Sequence, residues 1–138
     1  MKKLLSTKYS AGAFNVAMLL LRFGLGVLMA KHGFDKLQHF NQYATGNGGF
    51  MKFMGLSSSL SLALVVFAEF FCSLFLILGL FTRLSTIPLI IAMGVALVKA
   101  HHLEIFGDGE HAALYLVAYF VLLIVGPGKV SVDGMTGK

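Results

Sequence analysis

The chain has 138 residues, of which 57% are hydrophobic and 12% charged, and its mean hydropathy is +0.84. An average soluble domain carries roughly 25% charged residues, so a chain this short cannot hide its apolar surface in one core and the surplus must face lipid. The net charge of +5 then reads as loop charge on a membrane protein, with no nucleic-acid partner expected, and a single cysteine, Cys72, excludes an internal disulfide or a CxxC motif.

The N-terminus imitates a secretory signal, with Lys2, Lys3 and Lys8 ahead of an apolar run from Ala13. Cleavage is not expected, because Arg22 interrupts the run, no A-x-A site follows, and three more hydrophobic segments lie downstream. The pattern predicts an all-α integral membrane protein, a four-helix antiparallel bundle forming one membrane domain over 1–138, with spans at about 13–37, 59–81, 85–102 and 110–125.

Span one carries Arg22 near its middle. At 100° per residue, Gly26, Met29, Gly33 and Lys36 fall within about 40° of Arg22, with His32 at the edge of the stripe. Lipid would penalise such a face, so it should look inward, and the glycines would let a neighbouring helix approach closely. The loop 41–58 contains the turn signal Asn47-Gly48-Gly49 and a short amphipathic segment, 50–54, expected at the membrane surface. Serines 57 to 59 offer an N-cap for span two.

Span two holds one acid, Glu69, on a face shared with Leu62, Ser73 and Leu76 and beside Cys72. A carboxylate there must be paired, protonated or wetted. Thr82-Arg83 makes a tight turn, so span three should return antiparallel, with Pro88 tolerated in its first turn. It ends in Lys99, His101 and His102. Asp108 is placed to cap span four, Glu110–Val125, which Gly126-Pro127-Gly128 stops. The polar tail 126–138 can pack back on the bundle. One side then carries Lys2, Lys3, Lys8, Arg83, Lys129 and Lys138, and the other Lys31, Lys36, Lys52 and Lys99, partly offset by Asp35, Glu104, Asp108 and Glu110. That bias places both termini in the cytoplasm.

Three constellations can carry chemistry. Arg22 and Glu69, at similar depth on successive spans, are expected to pair, either as a structural brace or as a proton or anion site. His32, Lys36, His101, His102, Glu110 and His111 are expected at one face, as a mouth for a small anion or a quinone head group, or as an interfacial rim of snorkelling residues. Their spacing lacks H-x-x-x-H or HExxH, so no metal site is assigned. His111, Tyr115 and Tyr119 form a stripe on span four that either packs or lines a cavity, and Cys72 reads as filler with a neutral thiol.

The motifs Leu21-Arg22-Phe23-Gly24-Leu25-Gly26, His32-Gly33-Phe34-Asp35-Lys36-Leu37, Glu69 with Leu78-Gly79-Leu80-Phe81-Thr82-Arg83, and Gly126-Pro127-Gly128-Lys129 with Ser131 and Asp133, in that order, resemble the DoxX family of small bacterial membrane proteins. The resemblance runs from about residue 14 to 134. It implies a four-helix inner-membrane protein and marks Arg22, His32, Gly33, Lys36, Glu69 and the Gly-Pro-Gly turn for testing. It also implies a link to thiosulfate:quinone oxidoreductase or to membrane redox-stress complexes. The expected function is a membrane component of a redox or quinone-linked system. A partner subunit or a bound quinone would supply the catalysis, and a homodimer is compatible with so thin a bundle. The alternatives are a small permease or carrier for a solute or proton, using the Arg22/Glu69 interior, and a membrane anchor without activity of its own.

Overall fold

The computed structural model describes residues 3–137, and the regular structure among them is entirely helical. Lys2 and Lys138, both part of the charge bias above, lie outside the described residues. Helix α1 spans Ala11–Gln38, its start capped by Ser10, whose hydroxyl accepts from the Ala13 N–H. A short α2, Phe40–Thr45, and a 3-10 turn at Gly46–Gly48 follow. Then come α3, Ser58–Leu78, and α4, Thr82–Ala100, α5, Glu110–Val125, and a single turn, α6, Val132–Met135. Ser57 caps α3 by accepting from the Leu60 N–H.

Helices α1, α3 and α4 are long and apolar enough to cross a membrane, and α5 is a shorter apolar helix. At about 1.5 Å per residue, α1 is roughly 42 Å long, against a hydrocarbon core of about 30 Å. The outward side chains are apolar on all four, for example Leu20, Val27, Phe71, Ile91, Val117 and Ile124. Water would leave such a surface uncompensated, whereas lipid matches it. Inside, Met29, Leu76, Leu89, Met93, Tyr119 and Leu122 belong to one buried cluster to which all four contribute. Helix α1 lies along α3, α3 against α4, and α4 against α5.

The glycine stripe of α1 sets the closest approach. Gly26 meets Ser73 and Ile77 of α3, and Gly33 meets the backbone of Glu69 and Phe70. A methyl group at Gly33 would stand 2.5 Å from the Phe70 nitrogen and 2.7 Å from the Glu69 carbonyl carbon. Backbone cannot swing aside as a side chain can. We therefore expect Gly33→Ala to destabilise the protein by about 1–3 kcal/mol, as overpacking of a close helix contact does. Gly24→Ala, where nothing lies within 4 Å of the added carbon, should be tolerated. Thermal unfolding of the two variants in detergent checks the pair, and equal midpoints would contradict the close contact.

In the short helix α2, Ala44 packs against Leu62 and Val66, with Phe50 beside them. Three local expectations need correction. Helix α3 is not uniformly α-helical: a π-helical turn occupies Phe67–Cys72. It brings Ala68, Glu69, Cys72 and Ser73 to the buried side together. Such a turn inserts one residue into the helical repeat, which an even 100° projection does not anticipate. Pro88 sits in the second turn of α4, not the first, because the helix already begins at Thr82. Asp108 does not cap α5; Gly109 holds the cap position without a side-chain bond.

Candidate functional site

Glu69 lies inside the π-helical turn of α3 and is 5% exposed. Its partner is Lys36, whose Nζ donates to the Glu69 carboxylate at 2.5 Å. The Lys36 side chain keeps 23% of its surface exposed, so the pair has one buried end and one open end. Tyr115 and Tyr119 of α5 stack with ring centres 5.9 Å apart, and both phenols are within electrostatic range of Glu69. Tyr119 is fully buried, and its hydroxyl has no hydrogen-bond partner among the described residues. On the outer side Phe70 packs on Phe34, 5.7 Å between ring centres, and edge-on to Phe71 at 5.2 Å.

The expected Arg22–Glu69 pair does not form. Later residues of α1 meet earlier residues of α3, so Gly33 is level with Glu69 while Arg22 lies near the end of α3. Gly33 is 11 residues beyond Arg22, about 16 Å along the helix. Reading each span as centred at the same depth hid this offset, because α1 is longer than α3 and extends past its end.

Arg22 instead binds backbone. Its Nη1 donates to the Leu76 carbonyl at 3.0 Å and the Ile77 carbonyl at 3.3 Å, and its Nε to the Pro127 carbonyl at 3.0 Å. Its Nη2 donates to the Val130 carbonyl. With 1% exposure, it ties α1, the last turn of α3 and the tail together. The last carbonyls of a helix lack intrahelical partners and carry partial negative charge, so a cation is well placed there. The position therefore reads as a brace made to backbone carbonyls, with the Asp133 carboxylate within electrostatic range of the guanidinium.

The same corner holds a second tie that was missed in sequence. The Asp133 carboxylate accepts from the N–H groups of Phe81 at 2.9 Å and Thr82 at 2.8 Å, satisfying donors at the start of α4. Only the return of the tail reveals it, and the spacing of Asp133 from the helix start, about 50 residues, gives no local cap signature.

The remaining candidates are not tied to one another. His32, His102, Glu110 and His111 are exposed, and none of their side chains makes a hydrogen bond or ion pair among the described residues. Of this rim of basic and acidic side chains, Lys36 is the member whose side chain has a partner. No group of three or more His, Cys, Asp or Glu among the described residues is arranged to hold a metal ion. Gly126, Pro127 and Gly128 form the turn that delivers the Pro127 carbonyl to Arg22. At the other end, Tyr43 donates to Asp35 at 2.8 Å, which holds the phenol above its ordinary pKa because that hydrogen bond and the carboxylate's charge oppose ionisation. His39 stands 3.3 Å from the same carboxylate.

A sequence model of the DoxX family matches residues 17–102. That stretch contains Arg22, Lys36 and Glu69 but not the Gly126-Pro127-Gly128 turn. Comparison with curated proteins and with solved structures gave no match. The match covers more than half of the chain, and with three apolar helices of membrane-crossing length it establishes the conclusion: this membrane protein belongs to the DoxX family.

Proposed function

We propose that the chain is a four-span, antiparallel protein of the bacterial inner membrane, with both termini in the cytoplasm, and that it serves a quinone-linked redox system through the Lys36–Glu69 site. The observation that carries the reading is the ion pair itself. It is an acid and a base within a lipid-facing protein, buried at the carboxylate and open at the ammonium. Ionisable pairs at such depth are costly, which makes them functional candidates by default. A quinone carbonyl accepts hydrogen bonds, and Lys36 Nζ has donors beyond the one held by Glu69. The lipid-side ring group Phe34, Phe70 and Phe71 gives a quinone ring an apolar surface to lie against.

Reduction of a quinone to its quinol takes two electrons and two protons. Lys36 and Glu69 would hold and relay protons at the carbonyl oxygens, and a redox partner subunit would supply the electrons. A homodimer is compatible with this arrangement. The orientation rests on the count along the sequence, with Lys2, Lys3, Lys8, Arg83, Lys129 and Lys138 in the end segments and the 82–83 turn against Lys31, Lys36, Lys52 and Lys99 in the other connections, six to four.

The test is mass spectrometry of solvent extracts from protein purified in mild detergent out of quinone-replete membranes. The expected result is quinone at near one per chain in the wild type and its loss in Lys36→Gln. Wild-type protein free of quinone, and unable to take up a short-chain quinone added in excess, would overturn the proposal.

A further inference from the structure

Beyond that site, the end of the molecule that carries the start of α1 and the tail holds a cleft of about 780 Å³. It runs between the first turns of α1, the start of α4, and the tail, and Phe14, Asn15, Arg83, Leu84, Val125 and Lys129 border it. We propose that this cleft binds an anionic glycerophospholipid, with the headgroup phosphate held by Arg83 and Lys129 and an acyl chain lying along Phe14, Leu84 and Val125.

The cations carry the first part of the argument. Arg83 lies over Gly126 and donates through Nη2 to the carbonyls of Ile124, at 3.2 Å, and Val125, at 3.5 Å. No carboxylate pairs with it among the described residues, and its Nε and Nη1 donors are left open. The Lys129 ammonium has no hydrogen-bond or ion-pair partner among the described residues; only its backbone N–H is bonded, to Asn15 at 2.9 Å. The acid that borders the cleft, Asp133, turns its two oxygens to the N–H groups of Phe81 and Thr82. The exposed segment that leads into α1 carries Lys3 and Lys8. Positive charge is thus in excess at the rim, and basic pockets between spans at a membrane surface bind anionic headgroups.

The apolar wall carries the second part. Leu84 is 66% exposed and Val125 38%, directly beside the cations. A free anion has no use for that wall, whereas a phospholipid needs both surfaces at once. A zwitterionic lipid would satisfy the wall but bring its own cation to a rim that already has too many.

Native mass spectrometry of delipidated protein titrated with phosphatidylglycerol or phosphatidylcholine tests the idea. The wild type should prefer phosphatidylglycerol. Lys129→Gln should weaken that lipid about fivefold, and Arg83→Gln/Lys129→Gln further, in line with roughly one such step per cation near the surface. Lys129→Gln leaves no folded partner behind, so it reads binding even if the Arg83 variant unfolds. Lys31→Gln/Lys52→Gln, at the opposite end, should change nothing. Equal retention of the two lipids by the wild type would overturn the proposal, as would equal loss in the Lys31/Lys52 control. Displacement of phosphatidylglycerol by millimolar inorganic phosphate would show a site for a free anion and overturn the lipid assignment too.

Discussion

Arg22→Ala should lower the thermal unfolding midpoint of the detergent-purified protein by more than about 10 °C, the largest effect expected from any single exposed or buried polar side chain discussed above. Four backbone carbonyls on two segments depend on this one guanidinium: Leu76 and Ile77 at the end of α3, and Pro127 and Val130 in the tail. Removing it leaves each of them without that donor in a region 1% exposed at Arg22 itself. A hydrogen bond to a charged group contributes about 1.5–3 kcal/mol, and an orphaned buried acceptor costs about 1–3 kcal/mol. The terms do not add fully, but a total of at least about 4 kcal/mol follows. Arg22→Lys should recover only part of it, because one ammonium on a flexible stem cannot reach carbonyls on opposite sides of a planar fork. A midpoint within about 3 °C of wild type for Arg22→Ala would refute the brace.

The second large effect belongs to Lys36 and Glu69, and it should be lopsided. Lys36→Ala strands a carboxylate that is 5% exposed, and breaking a buried pair in this way costs about 3–5 kcal/mol. Glu69→Ala strands an ammonium that already keeps 23% of its side-chain surface open and can extend toward water, so it should cost clearly less. The double variant, with neither charge left, should be more stable than Lys36→Ala alone. A double-mutant cycle in mixed micelles reads the coupling directly. Additivity within about 0.5 kcal/mol would mean that the two side chains do not interact.

Much of the helical framework was legible because the forces behind it are local. The bounds of α5 follow from the apolar run between Glu110 and the Gly-Pro-Gly stop. The inward stripe Arg22, Gly26, Met29, Gly33 is buried throughout, as a 100° projection and the dislike of lipid for charge together predict. The face Leu62, Glu69, Ser73 and Leu76 is likewise buried. What escaped the sequence was relative placement. Helical periodicity says which way a side chain points, but not how far one helix is shifted along its neighbour. That shift is set by where Gly33 can touch the Glu69–Phe70 backbone, a contact between segments 36 residues apart in sequence at Glu69. With the shift unknown, Arg22 and Glu69 looked level, and Lys36 looked like part of a rim. The carbonyl partners of Arg22 were harder still, since every residue has a carbonyl and none is marked.

The reach of Arg22 also bears on the order in which the protein can be made. Its Nε acceptor, the Pro127 carbonyl, lies 105 residues downstream. At about 5–20 residues per second of synthesis, on the order of ten seconds pass between the emergence of the guanidinium and of its last acceptors. During that interval α1 must wait with a cation that nothing yet neutralises or fully hydrogen-bonds, at the membrane surface or in the keeping of the insertion machinery. The tail thus acts as a latch that closes last. A chain truncated before Pro127 would hold all four apolar helices yet leave that latch open, and the cell's proteases would meet it as unfinished.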